Sequence, residues 1–144
     1  MDPNTLLIKI QYFSSGIILG FCALHLILYA YWRSKKSNLY YALFLLFLAL
    51  AVFSDFQALN TAGQQTYLFL RLQRASLALS MITALFFFYS LFGSKRGRAF
   101  RALVPLVALA GIAAAIKPIE GFLYLQILII AVLADIIRAA FSAI

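Results

Sequence analysis

Residues 39–59 read LYYALFLLFLALAVFSDFQAL, an apolar run whose one charged side chain, Asp55, comes about one helical turn before its end. Roughly 20 mostly apolar residues suffice to cross the hydrocarbon of a bilayer. No water reaches a free backbone N–H or C=O there, so an open-ended crossing segment has to be helical. The run is therefore predicted to be a membrane-spanning helix. Similar stretches cover about 12–32, 67–92, 100–116 and 122–141, and residues 4–11 form an interfacial lead-in to the first. The predicted fold class is all-α: a polytopic transmembrane helix bundle of five spans, occupying residues 1–144 as a single domain.

Composition agrees with that reading. The 144-residue chain is 65% hydrophobic and 11% charged, which leaves too little polar surface to coat a water-soluble globule. Its formal net charge of +8 does not point to nucleic acid, because the basic residues lie in short loops at helix ends. There they orient the chain. Arg33, Lys35 and Lys36 follow the first span, and Lys95, Arg96 and Arg98 follow the third, with Arg101 just beyond. The opposite side offers an uncharged turn after the second span, Lys117 beside Glu120, and Lys9. The positive-inside rule puts the basic loops in the cytoplasm, the N-terminus outside and the C-terminal end inside. The expected location is the cell inner membrane, multi-pass, with the lipid bilayer and other membrane helices as partners. The first span lacks a basic n-region and an early cleavage site, so it is expected to stay as its own insertion signal.

Polar groups at membrane depth are costly and face the bundle interior or a watery cavity. Asp55, Arg71 and Arg74 are expected at similar depth near the outer ends of two antiparallel neighbours. They admit three uses: an Asp–Arg pair that sets helix register, an outer pocket with one arginine free for an acidic or polar ligand, or arginines that snorkel to the headgroups. His25, in the inner half of the first span, reads as a buried hydrogen-bonded histidine or as a proton sensor. Asp135 and Arg138 are spaced for a same-helix ion pair near the cytoplasmic end of the fifth span. Gln57, Gln73 and Gln126 add hydrogen-bonding capacity. Gly16 and Gly20 form a small-xxx-small pair for helix packing within the bundle or across a dimer, and Ala108 to Ala115, with Gly111, offers a similar smooth face.

Catalytic chemistry is sparse. There are four acidic residues, one His and one Cys, with no HExxH, CxxC, phosphate-cradling glycine loop or close carboxylate pair. A lone histidine cannot complete a bis-histidine haem or zinc site, and Cys22 cannot form an intrachain disulfide. No enzyme activity, metal or cofactor is expected.

Residues 16–33, GIILGFCALHLILYAYWR, lead through a basic loop to SNLYYALFLLFLALAVFSDFQAL. With Leu24-His25, the Asn38-Leu39-Tyr40-Tyr41-Ala42-Leu43 segment, the FFFYSLF ending of the third span and the acid-x-x-Arg of the fifth, the chain resembles bacterial seven-transmembrane sensor regions with diverse intracellular signalling modules. The resemblance implies a sensory membrane region followed by a cytoplasmic output domain: a metal-dependent serine/threonine phosphatase, a nucleotide cyclase or a histidine kinase. It carries over no binding residues. Five spans stand where that family has seven, and the sequence ends at Ile144, shortly after Arg138. The expected function is thus a sensory, signal-transducing region without its output domain. The alternative is a small non-catalytic accessory or scaffold subunit of a larger energy-transducing or photosynthetic complex.

Overall fold

Five helices follow one another: α1 (Pro3–Tyr31), α2 (Lys36–Asn60), α3 (Gln64–Leu91), α4 (Arg98–Ile116) and α5 (Gly121–Phe141). The computed structural model describes residues 3–93 and 97–142, and their side chains except those of residues 3–5 and 7. Lys95 and Arg96 lie outside the described residues. Among the described residues there is no strand, and each helix is long and apolar enough to cross a membrane. The interfacial lead-in joins the first span as one continuous helix from Pro3. The second begins at Lys36 rather than Leu39, with no side-chain cap, so Ser37 and Asn38 lie inside its first turn.

The α2–α3 turn is closed by side chains. Asn60 Nδ2 donates to the Phe56 carbonyl at 2.8 Å and Thr61 Oγ1 to the Gln57 carbonyl at 2.8 Å, satisfying carbonyls that the end of α2 leaves open. Thr66 Oγ1 donates to the Thr61 carbonyl at 2.8 Å from the first turn of α3, and Gly63 supplies the positive φ of 68° between the helices.

The helices pack in a row that ends in a cluster. Among the described residues α1 touches α2 alone, α2 lies between α1 and α3, and α3, α4 and α5 all touch one another. Half of the α3 span is buried, against 11% of the α1 span, which makes α3 the hub. Ala78, Met81, Leu85 and Tyr89 of α3 meet Phe100, Val107 and Ala114 of α4 and Leu125, Val132 and Ile136 of α5 in the main core. α2, gripped from two sides, buries mostly small residues: Ala42, Ala49, Ala51, Ser54 and Ala58 beside Leu45. Small side chains let helix backbones approach where lipid is as apolar as leucine, so that packing rather than water exclusion holds helices together.

Two glycines mark close approaches. A Cβ at Gly111 would stand 2.4 Å from the Ala78 Cβ, so the Ala108 to Ala115 face packs against α3. A Cβ at Gly121 would stand 2.4 Å from the Ala114 Cα, because α5 starts directly against α4. Gly16 and Gly20, by contrast, are exposed, and a Cβ at either would meet nothing within 4 Å. Packing of that pair within the bundle is therefore corrected. α1 presents Gln11, Ser15, Ile18 and Cys22 to the interior, and positions 16 and 20 are turned away from α2.

Gly121→Ala is expected to cost about 1–3 kcal/mol, because the Ala114 backbone cannot yield as a side chain would. Gly20→Ala should leave stability within about 0.5 kcal/mol. Thermal unfolding in mild detergent, followed by helical circular dichroism, separates the two; equal melting temperatures would contradict the α4–α5 contact.

Candidate functional site

Two polar clusters lie toward opposite ends of α3, and each ties α3 to α5 or to the turn before it. The first is built on Asp55, Gln73 and Arg74. Gln73 Nε2 donates to Asp55 Oδ1 at 2.7 Å, and Arg74 Nη1 donates to Gln73 Oε1. The expected direct Asp–Arg contact is replaced by a glutamine placed between them. Arg74 is 8% exposed. Its Nε donates to the Pro118 carbonyl at 3.2 Å, and its guanidinium lies 3.7 Å from the centre of the Phe122 ring. Burying a cation in hydrocarbon costs several kcal/mol unless it is compensated. Here a carbonyl, an amide oxygen, an aromatic face and a relayed carboxylate share that task.

Arg71 and Arg74, although one turn apart, do different things. Arg71 is exposed and lines a cavity of about 250 Å³ with Tyr67, Ile116, Lys117, Pro118 and Glu120. Lys117 Nζ bonds Glu120 Oε2 at 3.2 Å at the rim. The set of Asp55, Arg71 and Arg74 is thus divided: Asp55 and Arg74 belong to one relay, and Arg71 opens onto a groove mouth.

The second cluster lies at the other end. Tyr89 Oη donates to Asp135 Oδ2 at 2.8 Å. Arg138 Nη2 donates to Tyr89 Oη at 2.8 Å and to Asp135 Oδ1 at 2.7 Å, and its Nε donates to the same carboxylate oxygen at 2.9 Å. The Asp135 side chain is 5% exposed and that of Arg138 54%, so the arginine spans from the buried carboxylate to the surface. Tyr89 acts as donor and acceptor at once, which closes a three-membered ring of charge-assisted bonds between α3 and α5.

His25 joins neither cluster. It is half-buried, its ring packs edge-on against Tyr41 of α2 with centroids 4.4 Å apart, and its Nδ1 has no hydrogen-bond partner. The hydrogen-bonded histidine expected from sequence is corrected to an aromatic contact. Cys22 Sγ donates to the Ala42 carbonyl at 3.2 Å in the same seam. Among the described residues no three His, Cys, Asp or Glu side chains gather as metal ligands.

Tyr89 and the Gln73 bridge escaped sequence reading. Tyr89 is hidden in a phenylalanine run, and its signal is depth: it stands near the end of α3, level with Asp135 and Arg138 near the end of α5. Tyr89→Phe should lower stability by about 1–2 kcal/mol through loss of its two hydrogen bonds. The losses from Tyr89→Phe and Asp135→Asn should combine less than additively. Strictly additive losses in detergent unfolding would mean that the two groups do not meet.

No curated protein and no solved structure gives a significant match. A family model described as 7TM diverse intracellular signalling matches residues 8–144, which takes in α2 to α5 and all but the first five residues of α1. The chain thus belongs to the 7TM diverse intracellular signalling family, whose membrane regions serve sensing and signalling.

Proposed function

We propose that this chain is the membrane-embedded sensory region of a bacterial signalling protein, lying in the inner membrane with its N-terminus outside. In this reading α5 leads toward a cytoplasmic output module, and catalysis belongs to that module rather than to these helices. The observation that carries the proposal is the double hold of α3 on α5. Arg74 grips the start of α5 through the Pro118 carbonyl and the Phe122 ring, and Tyr89 grips its end through Asp135 and Arg138.

The mechanism is a shift between two helix arrangements. A stimulus at the Asp55, Arg71 and Arg74 end that favours one arrangement changes how α3 holds the α4–α5 turn. Because α5 is stiff along its length, the change is felt in the Tyr89–Asp135–Arg138 ring. A stimulus moves the balance only by its difference in affinity for the two arrangements, and a tenfold shift takes about 1.4 kcal/mol. That is the size of one or two of these hydrogen bonds.

A second reading, an accessory subunit packed against larger membrane partners, is favoured by the exposed α1 face bearing Gly16 and Gly20. The reading frame beyond Ile144 discriminates: an output domain supports the sensor, and an immediate stop codon overturns it in favour of the subunit. In the chain with its output domain, Arg71→Ala and Arg74→Ala are expected to shift basal or stimulated output several-fold. Unchanged output and unchanged stimulus response in both variants would remove the Asp55, Arg71 and Arg74 end from the mechanism.

Orientation has its own test. Ala62→Cys in the α2–α3 turn should react with a membrane-impermeant maleimide in intact cells, whereas Ser34→Cys in the first basic loop should react only after permeabilisation. Both positions are exposed and the native Cys22 is buried, so background is low. The reverse pattern would invert the topology.

A further inference from the structure

Two cavities lie one after the other along the α3–α4 furrow, a cationic mouth and an apolar floor, adjacent where Arg71 is followed by Ala75 on α3 and Ile116 by Ala115 on α4. The mouth is the cavity of about 250 Å³ at Tyr67, Arg71, Lys117 and Glu120. Along α3 the same face continues through Ala75, Ala78, Leu79 and Ile82, and along antiparallel α4 through Ala115, Ile112, Gly111 and Ala108. These residues line a second cavity of about 320 Å³ that is almost wholly apolar. The Ala78–Gly111 approach draws the two backbones together, and Leu79, Ile82 and Ile112 stand as walls along the furrow.

Charge and depth agree with this shape. Arg71 has no hydrogen-bond acceptor or ion-pair partner among the described residues, while Lys117 and Glu120 pair with each other. The mouth therefore carries one positive charge in excess. At 1.5 Å per residue, α3 is about 42 Å long against roughly 30 Å of hydrocarbon, so it overhangs by roughly 6 Å at each end. Arg71, about 10 Å from the start of α3, then lies just inside the boundary, within reach of the headgroup layer.

We propose that this furrow binds one anionic glycerophospholipid of the adjoining leaflet, with its phosphodiester on Arg71 and one acyl chain along Ala75, Ala78 and Gly111. The phosphodiester carries the single negative charge that the mouth lacks, and guanidinium–phosphate pairing is strong and directional. The chain fills a cleft that neither helix fills itself. The site deepens the role given above to the Arg71 end, but it is read through lipid retention, so it stands or falls apart from signalling.

The test is native mass spectrometry of the purified full chain in mild detergent, titrated with dioleoylphosphatidylglycerol. One lipid should be retained more tightly than any that follow. Arg71→Gln should weaken that first binding about tenfold, the loss expected for one charge-assisted contact. Ala75→Leu, which fills the floor while keeping Arg71, should weaken it comparably. Ala115→Leu, on the opposite wall, gives the same reading should Ala75→Leu not yield a monodisperse protein. Lys9→Gln, an exposed cation on α1, should change nothing. The proposal is overturned by wild-type retention in Arg71→Gln or in both groove-filling variants, which would mark the lipid as annular. It is equally overturned if dioleoylglycerol binds as well as the phospholipid. Displacement of the lipid by equimolar glycerol 3-phosphate would overturn it in favour of a water-soluble phosphate ester.

Discussion

A polar side chain in hydrocarbon has to find its partner in the protein, and α3 carries the polar side chains that matter most here. Arg74 is buried, and it is tolerable only because Gln73, the Pro118 carbonyl and the Phe122 ring surround it. Asp135 is buried as well, and Tyr89 and Arg138 supply its donors. Both requirements pull α5 against α3, one at each end. The apolar core between them, from Ala78 to Tyr89 on α3 and from Leu125 to Ala139 on α5, then packs in a register already set by the polar ends. Apolar contacts alone specify register weakly in lipid, where sliding one leucine past another loses little.

The seams differ in kind, and that difference bears on motion. The α3–α5 seam has directional bonds at its ends and a dense core between them. The α1–α2 seam has the Cys22–Ala42 bond, the Gln11–Phe53 bond at 3.3 Å and the His25–Tyr41 ring contact, while Ser15 Oγ and His25 Nδ1 are without partners. Unpaired buried polar atoms weaken a seam by the desolvation they leave uncompensated. α1, held by one neighbour among the described residues, is the helix with the least to lose by moving. The rigid unit is thus α3 with α2, α4 and α5 packed on it, and a conformational signal that passes along α3 and α5 would be carried by bonds with two discrete states rather than by gradual bending.

Much of this was legible in the residues. Five apolar runs dictated five helices because hydrocarbon permits no other open-ended crossing element, and the match to a 7TM signalling family over residues 8–144 agrees with the sensor resemblance read from residues 16–59, FFFYSLF and Asp135-x-x-Arg138. The spacing of Asp135 and Arg138 foreshadowed their pairing, since i and i+3 share a helix face whatever the tertiary fold. Glycine motifs were a poorer guide. Gly16 and Gly20 have the small-xxx-small spacing and face open space, whereas the Ala108 to Ala115 face makes its close approach at Gly111, and Gly121, outside both stretches, makes another. Spacing tells which residues share a face but not which face meets a neighbour.

The sequence by itself determined the spans, their length and the scarcity of polar groups among them, because these depend on local composition and on the thickness of the bilayer. Tertiary structure alone decided which polar groups meet. It placed Gln73 between Asp55 and Arg74, turned Arg71 outward to a groove while Arg74 turned inward, and brought Tyr89 across to Asp135. The reason is rotational: a helix in lipid can turn about its axis at little cost until a neighbour's side chains select one face, and that selection is a property of the pair rather than of either helix.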